Sequence, residues 1–192
     1  MTARTHDLAA ITALGVIFLL RPIQNITLAT AILAVFANLI GGITPDIDQP
    51  TAPFWRNLPV GGTIGRIFDK LLGGHRFITH SLLGLALFGY LVHLLLHFLH
   101  PIMGSIDSGL VWWAFMIGMV SHLIMDTLTK EGVPWLLPVP IKFGVPPLKK
   151  LRITTGKAGE TLIVFPGLLA FNAAFYYLHY HQILDILHNH VW

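Results

Sequence analysis

Cysteine is absent from this chain of 192 residues, and charged side chains make up only 11% of it. Without cysteine there is no disulfide framework and no thiolate metal site. Soluble domains carry about 25% charged residues, whereas 54% of this chain is hydrophobic and its mean hydropathy is +0.70. The composition therefore indicates an integral membrane protein, and the length fits a single domain covering residues 1–192.

Apolar segments lie near residues 8–20, 26–43, 81–100, 108–128 and 161–180. The last four approach the ~20 residues that a helix needs to cross a bilayer. The first is shorter and would need local thinning or a neighbouring helix. A cleaved signal peptide is the alternative for it, but the apolar character continues without a polar mature start. We predict an all-α, polytopic transmembrane bundle of about five spans with cytoplasmic loops.

Basic residues divide unequally between the two sides that five spans define. All of the 12 lysine and arginine residues except Arg21 fall on the side of the amino terminus. Positive charge marks cytoplasmic loops, so we expect the amino terminus inside and the carboxyl terminus outside.

Titratable side chains gather at the span ends that this topology places in the cytoplasm. His122 and Asp126 are four residues apart in span four, so they project from one helix face. Asp46 and Asp48 follow the proline that ends span two, and His80 directly precedes span three. Carboxylates and imidazoles that converge in this way favour a metal site, because such groups near hydrocarbon are costly without a partner or an ion.

Four further residues flank this cluster. His6 precedes span one, and His75 lies upstream of span three after flexible glycines. Arg76 is a ready bidentate partner for a phosphate or carboxylate, and Glu131 is either solvated or a ligand or base. Arg76 and Glu131 are the predicted catalytic residues. The predicted metal ligands are His6, Asp46, Asp48, His75, His80, His122 and Asp126.

Taken singly, each of these residues is more often a helix cap, a turn residue or a structural histidine. Their gathering on one side is harder to explain that way in a chain with 9 acidic residues and 11 histidines. Imidazole and carboxylate suit zinc, with manganese or iron as alternatives, and the site has ligands for one or two ions.

Three histidines in span three and one basic loop segment each have an interpretation that requires no catalytic role. His93, His97 and His100 share one face of span three toward its outer end, where a second metal site is the alternative to interfacial histidines. The basic segment 142–157 is typical of topology and contact with anionic lipid, or it gathers a phosphorylated substrate.

A resemblance to a known family rests on four motifs, namely Met1–His6, Gly41–Asp48, Gly74–Ser81 and Ser121–Pro134. Their order is similar to that of the YdjM family of bacterial and archaeal inner-membrane proteins, described as membrane-bound metal-dependent hydrolases. The resemblance runs from residue 1 to about residue 160. It implies that the signature polar positions are His6, Asp46, Asp48, His75, Arg76, His80, His122 and Asp126. More distantly, the motif order is similar to the ligand order of zinc-dependent phospholipases C.

These observations predict a hydrolase at the cytoplasmic membrane surface that acts on a phosphoester of a lipid or lipid-linked substrate. The alternative is a metal-ion carrier or a metal-regulated membrane scaffold. Transporters place their ligands near the bilayer midplane, whereas these lie at helix ends. Membrane lipids are the expected partners, and nucleic acid is not, because the basic loops lack the interleaved aromatic residues of a stacking platform.

Overall fold

The computed structural model describes residues 1–21, 23, 26–73, 76–139 and 141–191, apart from the side chains at 53, 187 and 189–191. Within these residues the chain forms helices and no strand; its only β-type pairings are two isolated bridges, between Thr129 and Ile153 and between Val133 and Phe143. The prediction of an all-α protein is confirmed.

The helices are α1 (Ala3–Leu20), α2 (Leu28–Ile43), α3 (Pro53–Arg56), α4 (Gly61–Leu71), α5 (Leu82–Met103), α6 (Ser108–Thr127), α7 (Phe165–Leu178) and α8 (Tyr180–Val191). A 3-10 turn, Thr44–Asp48, extends α2, and a π-helical turn, Glu160–Val164, leads into α7. The helical stretches long and apolar enough to cross a membrane are Ala3–Leu20, Leu28–Asp48, Leu82–Met103, Ser108–Thr127 and Glu160–Leu178. The five-span bundle is thus confirmed.

Helix α1 is longer than the apolar pattern predicted. It begins at Ala3 rather than near residue 8 and contains 18 residues, about 27 Å at the usual helical rise. Its first turns carry polar side chains that face inward, since Thr5 and His6 are 1% and 2% exposed. The hydropathy pattern therefore missed the start of this helix.

Capping side chains fix the starts of the next spans. The side-chain oxygens of Thr27, Ser81 and Asp107 accept backbone N–H groups at 3.2, 3.1 and 3.0 Å, respectively. Such caps satisfy N–H groups that have no partner inside the first helical turn. They explain why α2, α5 and α6 begin where polar residues interrupt the apolar sequence.

Helix α6 is the centre of the bundle and packs against α1, α2 and α5. Its approach to α2 is closest at two glycines: a Cβ on Gly41 would collide with the Phe115 carbonyl, and one on Gly118 with the Asn38 carbonyl. The Asn38 side chain also donates to the Ala114 carbonyl at 3.0 Å. Small residues let membrane helices meet backbone to backbone, which sets the carboxyl end of α2 beside that of α6.

The main apolar cluster lies next to the candidate site along α6. Ala37, Leu96, Val111, Phe115 and Met119 form the main buried apolar cluster. One helical turn beyond Met119, α6 carries the buried polar side chains that build the candidate site.

Candidate metal centre

The centre is built on one face of α6. His122 and Asp126 are both 0% exposed and lie one turn apart. The His122 Nδ1 is 2.7 Å from the Gly42 carbonyl oxygen, so Nδ1 carries the proton in the neutral ring and Nε2 is left as an acceptor. A backbone carbonyl behind a histidine is the usual way of orienting a metal-binding imidazole.

His6 of α1 lies flat against this histidine. The two rings stack with centroids 3.6 Å apart and planes 7° from parallel, and His6 Nε2 is 3.3 Å from Asp126 Oδ1. Within the described residues, neither nitrogen of the buried His6 has a hydrogen-bond partner, and nor does His122 Nε2. Buried polar atoms are rarely left unpaired, so these nitrogens point to a ligand between them.

Two segments outside α1 and α6 complete the cluster. Asp46 comes from the 3-10 turn after α2, and His80 from a short 3-10 segment, Ile78–His80, before α5. The Asp46 Oδ1 lies 3.7 Å from His80 Nε2 and 3.6 Å from His122 Nε2. Asp46 is 19% exposed at its side chain, and it is the most accessible member of the cluster.

Metal-capable atoms therefore form two triplets that share His122, one with His6 and Asp126 and one with Asp46 and His80. The N···O separations within the cluster run from 3.3 to 3.7 Å. These exceed a good hydrogen bond but match the edge of about 3.3 Å expected between tetrahedral ligands at zinc distances. The donor set and its spacing therefore fit a divalent metal.

Asp48 lies behind His80 and outside both triplets. Its carboxylate is 0% exposed and accepts hydrogen bonds from the Arg76 backbone N–H at 3.0 Å and from the Thr79 hydroxyl. The Thr79 oxygen is also 2.9 Å from His80 Nδ1. In this arrangement Asp48 orients His80 from behind, while its direct ligation of a metal stays a prediction.

Charge around His80 opposes the effect of its burial. Burial by itself lowers the pKa of His80, but hydrogen bonds to Asp126 and Asp48 and the charges of Asp48 and Asp46 outweigh it and raise the pKa above its ordinary value. A metal that binds His80 must therefore displace a proton that these carboxylates favour.

Arg76 reaches the cluster from the loop before α5 and is 6% exposed. Its Nη2 is 2.6 Å from Asp126 Oδ2, and Nη1 donates to the Thr129 hydroxyl at 3.0 Å and the Gly132 carbonyl at 3.3 Å. Glu131, 63% exposed, lies 3.5 Å from the Arg76 Nε. Arg76 therefore holds Asp126 in place.

The backbone of Arg76 is itself unusual, with a φ of 61°. A non-glycine residue in the left-handed region costs on the order of 1–3 kcal/mol, and such residues cluster at functional sites.

The remaining predicted ligand, His75, lies outside the described residues.

The sequence patterns did not predict a role for Glu160 in the site. It is 0% exposed, and its Oε1 accepts from the Thr2 backbone at 2.7 Å and from the hydroxyls of Thr2 and Thr5 at 2.6 Å each. These bonds fix the first turn of α1 and so position His6. The available signal was an acidic residue directly before the last span, on the same side as the other clusters.

The Met1 amino group lies 2.5 Å from Asp126 Oδ1, a contact that the sequence patterns did not predict.

A cavity of about 320 Å³ lies against the cluster. His6, Asp7 and Asp46 line it together with apolar side chains that include Phe54 and Leu58. The cluster thus has an open side at Asp46, whereas His80, His122 and Asp126 are enclosed.

The histidines at the other end of α5 are arranged differently. His93, His97 and His100 are exposed and line a separate cavity of about 190 Å³ with Trp112 and Trp113. Within the part of the chain that the structure describes, they belong to no group of three metal-capable atoms.

Comparison with known proteins agrees with this architecture. The chain is 27% identical over 184 residues to the uncharacterized protein YvsG of Bacillus subtilis (strain 168), a match that covers 94% of this chain and 98% of that protein. No solved structure matches. The sequence profile of the YdjM inner membrane protein family matches residues 1–187. The chain therefore belongs to the YdjM family of inner membrane proteins.

Proposed function

We propose that this protein is a metal-dependent hydrolase of the inner membrane that cleaves a phosphoester of a lipid or lipid-linked substrate at the cytoplasmic surface. One observation carries the proposal. A buried histidine–aspartate cluster opens, through Asp46, into a cavity at the ends of the membrane-spanning helices. An enclosed donor set with one open side is typical of catalytic metal sites, because structural sites are closed.

The metal would be held by His6, His122 and Asp126, with Asp46 and His80 completing the same site or holding a second ion. Three imidazoles and two carboxylates suit zinc first, and manganese or iron next. When bound, such an ion lowers the pKa of its water ligand and polarises a phosphoryl oxygen.

The chain itself supplies orientation and charge. The carbonyl behind His122 and the hydroxyl behind His80 point their Nε2 atoms into the cluster. Arg76 pairs with Asp126, so its charge offsets that of the carboxylate and reduces the repulsion that an anionic substrate or transition state would meet. Glu131 is exposed beside it and is the second catalytic residue of the proposal.

The cavity supports a lipid substrate class. Apolar side chains line much of it, and Phe54 and Leu58 among them are 42% and 43% exposed. The cavity lies where α1 begins and α2 ends, which places it at headgroup level if these helices span the bilayer. A phosphate at the cluster would then leave the adjoining part of a lipid against the apolar side chains of the cavity.

Arg76→Lys tests the catalytic part of this proposal. Lysine keeps the positive charge but loses the planar fork that reaches Asp126, Thr129 and Gly132 together. We expect turnover of a phosphomonoester or phosphodiester lipid to fall at least about tenfold, that is by more than about 1.4 kcal/mol in transition-state free energy, with metal content retained. Turnover and metal content are measured in the same preparation, with Arg4→Lys at an exposed position as the matched control.

The alternative, a metal-regulated scaffold or carrier, is favoured by the burial of His6, His80, His122 and Asp126, each at most 2% exposed. A wild-type protein with a full metal complement that hydrolyses none of the lipid panel would support this alternative and end the hydrolase proposal.

The cytoplasmic position of the site is part of the proposal and rests on the distribution of basic residues. A reporter inserted in the loop 142–157 should report the cytoplasm, and one fused to the carboxyl terminus should report the opposite side. Both reporters on one side would contradict the five-span topology, and a reversal of the two would place the metal cluster outside.

A further inference from the structure

A stripe of exposed apolar side chains runs along α4. Ile64, Ile67 and Leu71 are spaced by three and four residues, which aligns them on one side of the helix, and they are 36%, 53% and 72% exposed. Val60, the residue directly before α4, is 75% exposed and adds a fourth apolar side chain at the start of the stripe. Isolated surface hydrophobics are ordinary, but a continuous helical stripe marks an interaction surface.

The neighbouring side of α4 is already packed, so the stripe cannot be buried by rotating the helix. A Cβ on Gly65 would lie 2.9 Å from the Pro50 Cα and from the Trp55 ring. Trp55 is 3% exposed, and its Nε1 donates to the Ile47 carbonyl at 3.0 Å. Through these contacts α4 is fixed to the turn that ends the second span.

The charge next to the stripe is mainly positive. Arg66 and Lys70 lie on the polar side of α4, and Arg56 lies in α3; all three are exposed, while the half-buried Asp69 is the one acidic residue of α3 and α4. An apolar stripe with basic residues beside it is the pattern of helices that lie in the surface of an anionic bilayer.

The connections of α4 place it at the membrane surface. It lies between the span that ends at Asp48 and the span that begins at Leu82, and its 11 residues are too few to cross a bilayer. A small apolar cavity lined by Ile40, Ile47 and Phe54 joins the flank of α2 to α3. The exposed Ile40 belongs to the span, so the apolar surface continues from the span toward the α3–α4 region.

We propose that α4 is an interfacial helix that binds the bilayer surface, with Val60, Ile64, Ile67 and Leu71 inserted among the lipids and Arg66 and Lys70 contacting anionic headgroups. This inference needs only the membrane topology and does not depend on hydrolase activity. In this position α4 holds Phe54 of α3, which lines the cavity beside the metal cluster, at the level of the lipid headgroups.

The absence of cysteine gives a direct test in the full-length protein. Ile67→Cys places a label on the apolar stripe. Gly62→Cys is the matched control, because Gly62 is on the opposite side of α4 and a Cβ there meets no atom within 4 Å. Each variant is labelled with an environment-sensitive fluorophore in nanodiscs that hold one copy of the protein. The quenchers are lipid-bound nitroxide and aqueous iodide.

We expect the label at position 67 to be quenched at least about twofold more by the nitroxide lipid than the label at position 62, with the order reversed for iodide. Leu71→Cys, at a highly exposed position, repeats the test if the first variant folds poorly. Equal quenching at the two sides would overturn the proposal. Shielding that occurs only in discs with two copies would also overturn it, because a second chain would then cover the stripe.

The charge contribution is tested in the same system. Nitroxide quenching at position 67 should rise when phosphatidylglycerol replaces part of the phosphatidylcholine, and Arg66→Gln combined with Lys70→Gln should remove that rise. Quenching that does not depend on lipid charge in the parent protein would overturn the headgroup contact.

Discussion

Histidines are concentrated at both ends of the bundle, and the two groups differ in burial and in their carboxylate partners. His6, His80 and His122 come from three separate segments, are at most 2% exposed and converge on carboxylates. His93, His97 and His100 follow one another along α5 and are exposed. The latter also have helical spacing suited to ligation, so spacing alone does not make a site.

The difference lies in what surrounds each imidazole. In the metal cluster, the His122 Nδ1 lies against a backbone carbonyl, which leaves the buried Nε2 directed at its neighbours. At the opposite end of α5 each ring is exposed, and no hydrogen-bond partner in the described chain fixes its orientation. Histidines can coordinate a metal together when they are buried and when a hydrogen bond to the other ring nitrogen fixes the orientation of each ring.

The largest effect is expected from removing the shared ligand. His122→Ala should abolish stoichiometric metal binding, because both triplets lose a member, while the helical content seen by circular dichroism stays unchanged. His97→Ala, the matched change at the opposite end of the bundle, should leave metal content unaltered. Elemental analysis of the two purified variants decides the comparison, and full occupancy in His122→Ala would remove the proposed centre.

A smaller effect is expected behind the ligands. Asp48→Asn weakens the acceptor that orients His80 through Thr79, and loss of such a contact typically lowers metal affinity by about 10–100-fold. Competition with a chelator measures this shift, and Asp69→Asn on α4 is the control. Complete loss of metal would instead show that Asp48 is a ligand, as its position in the sequence predicted.

The smallest effect is expected from the helix contact that brings the cluster together. Gly118→Ala adds a methyl group against the Asn38 carbonyl and should destabilise the bundle by about 1–3 kcal/mol. Gly167→Ala, where a Cβ meets no atom within 4 Å, should be neutral or stabilise by about 0.5–1 kcal/mol. Thermal unfolding in detergent compares them, and equal transition temperatures would contradict the close α2–α6 packing.

The amino-acid sequence by itself determined the membrane class, the five spans and the side of the bundle on which the polar residues gather. These features follow from local properties: hydropathy over about twenty residues, the four-residue spacing of His122 and Asp126, and the proline before Asp46. The start of α1 was missed for the same reason, since its inward-facing polar residues do not register as an apolar run.

Only the tertiary structure decided how those residues divide between ligands and supports. Asp46 and Asp48 are two residues apart and chemically identical, yet one faces the cluster and the other lies behind His80. Likewise Arg76 is paired with Asp126, and the distant Glu160 fixes the turn that carries His6. Such roles depend on the direction of each side chain after α2 and α6 meet at Gly41 and Gly118, and residues far apart in the chain set that direction together.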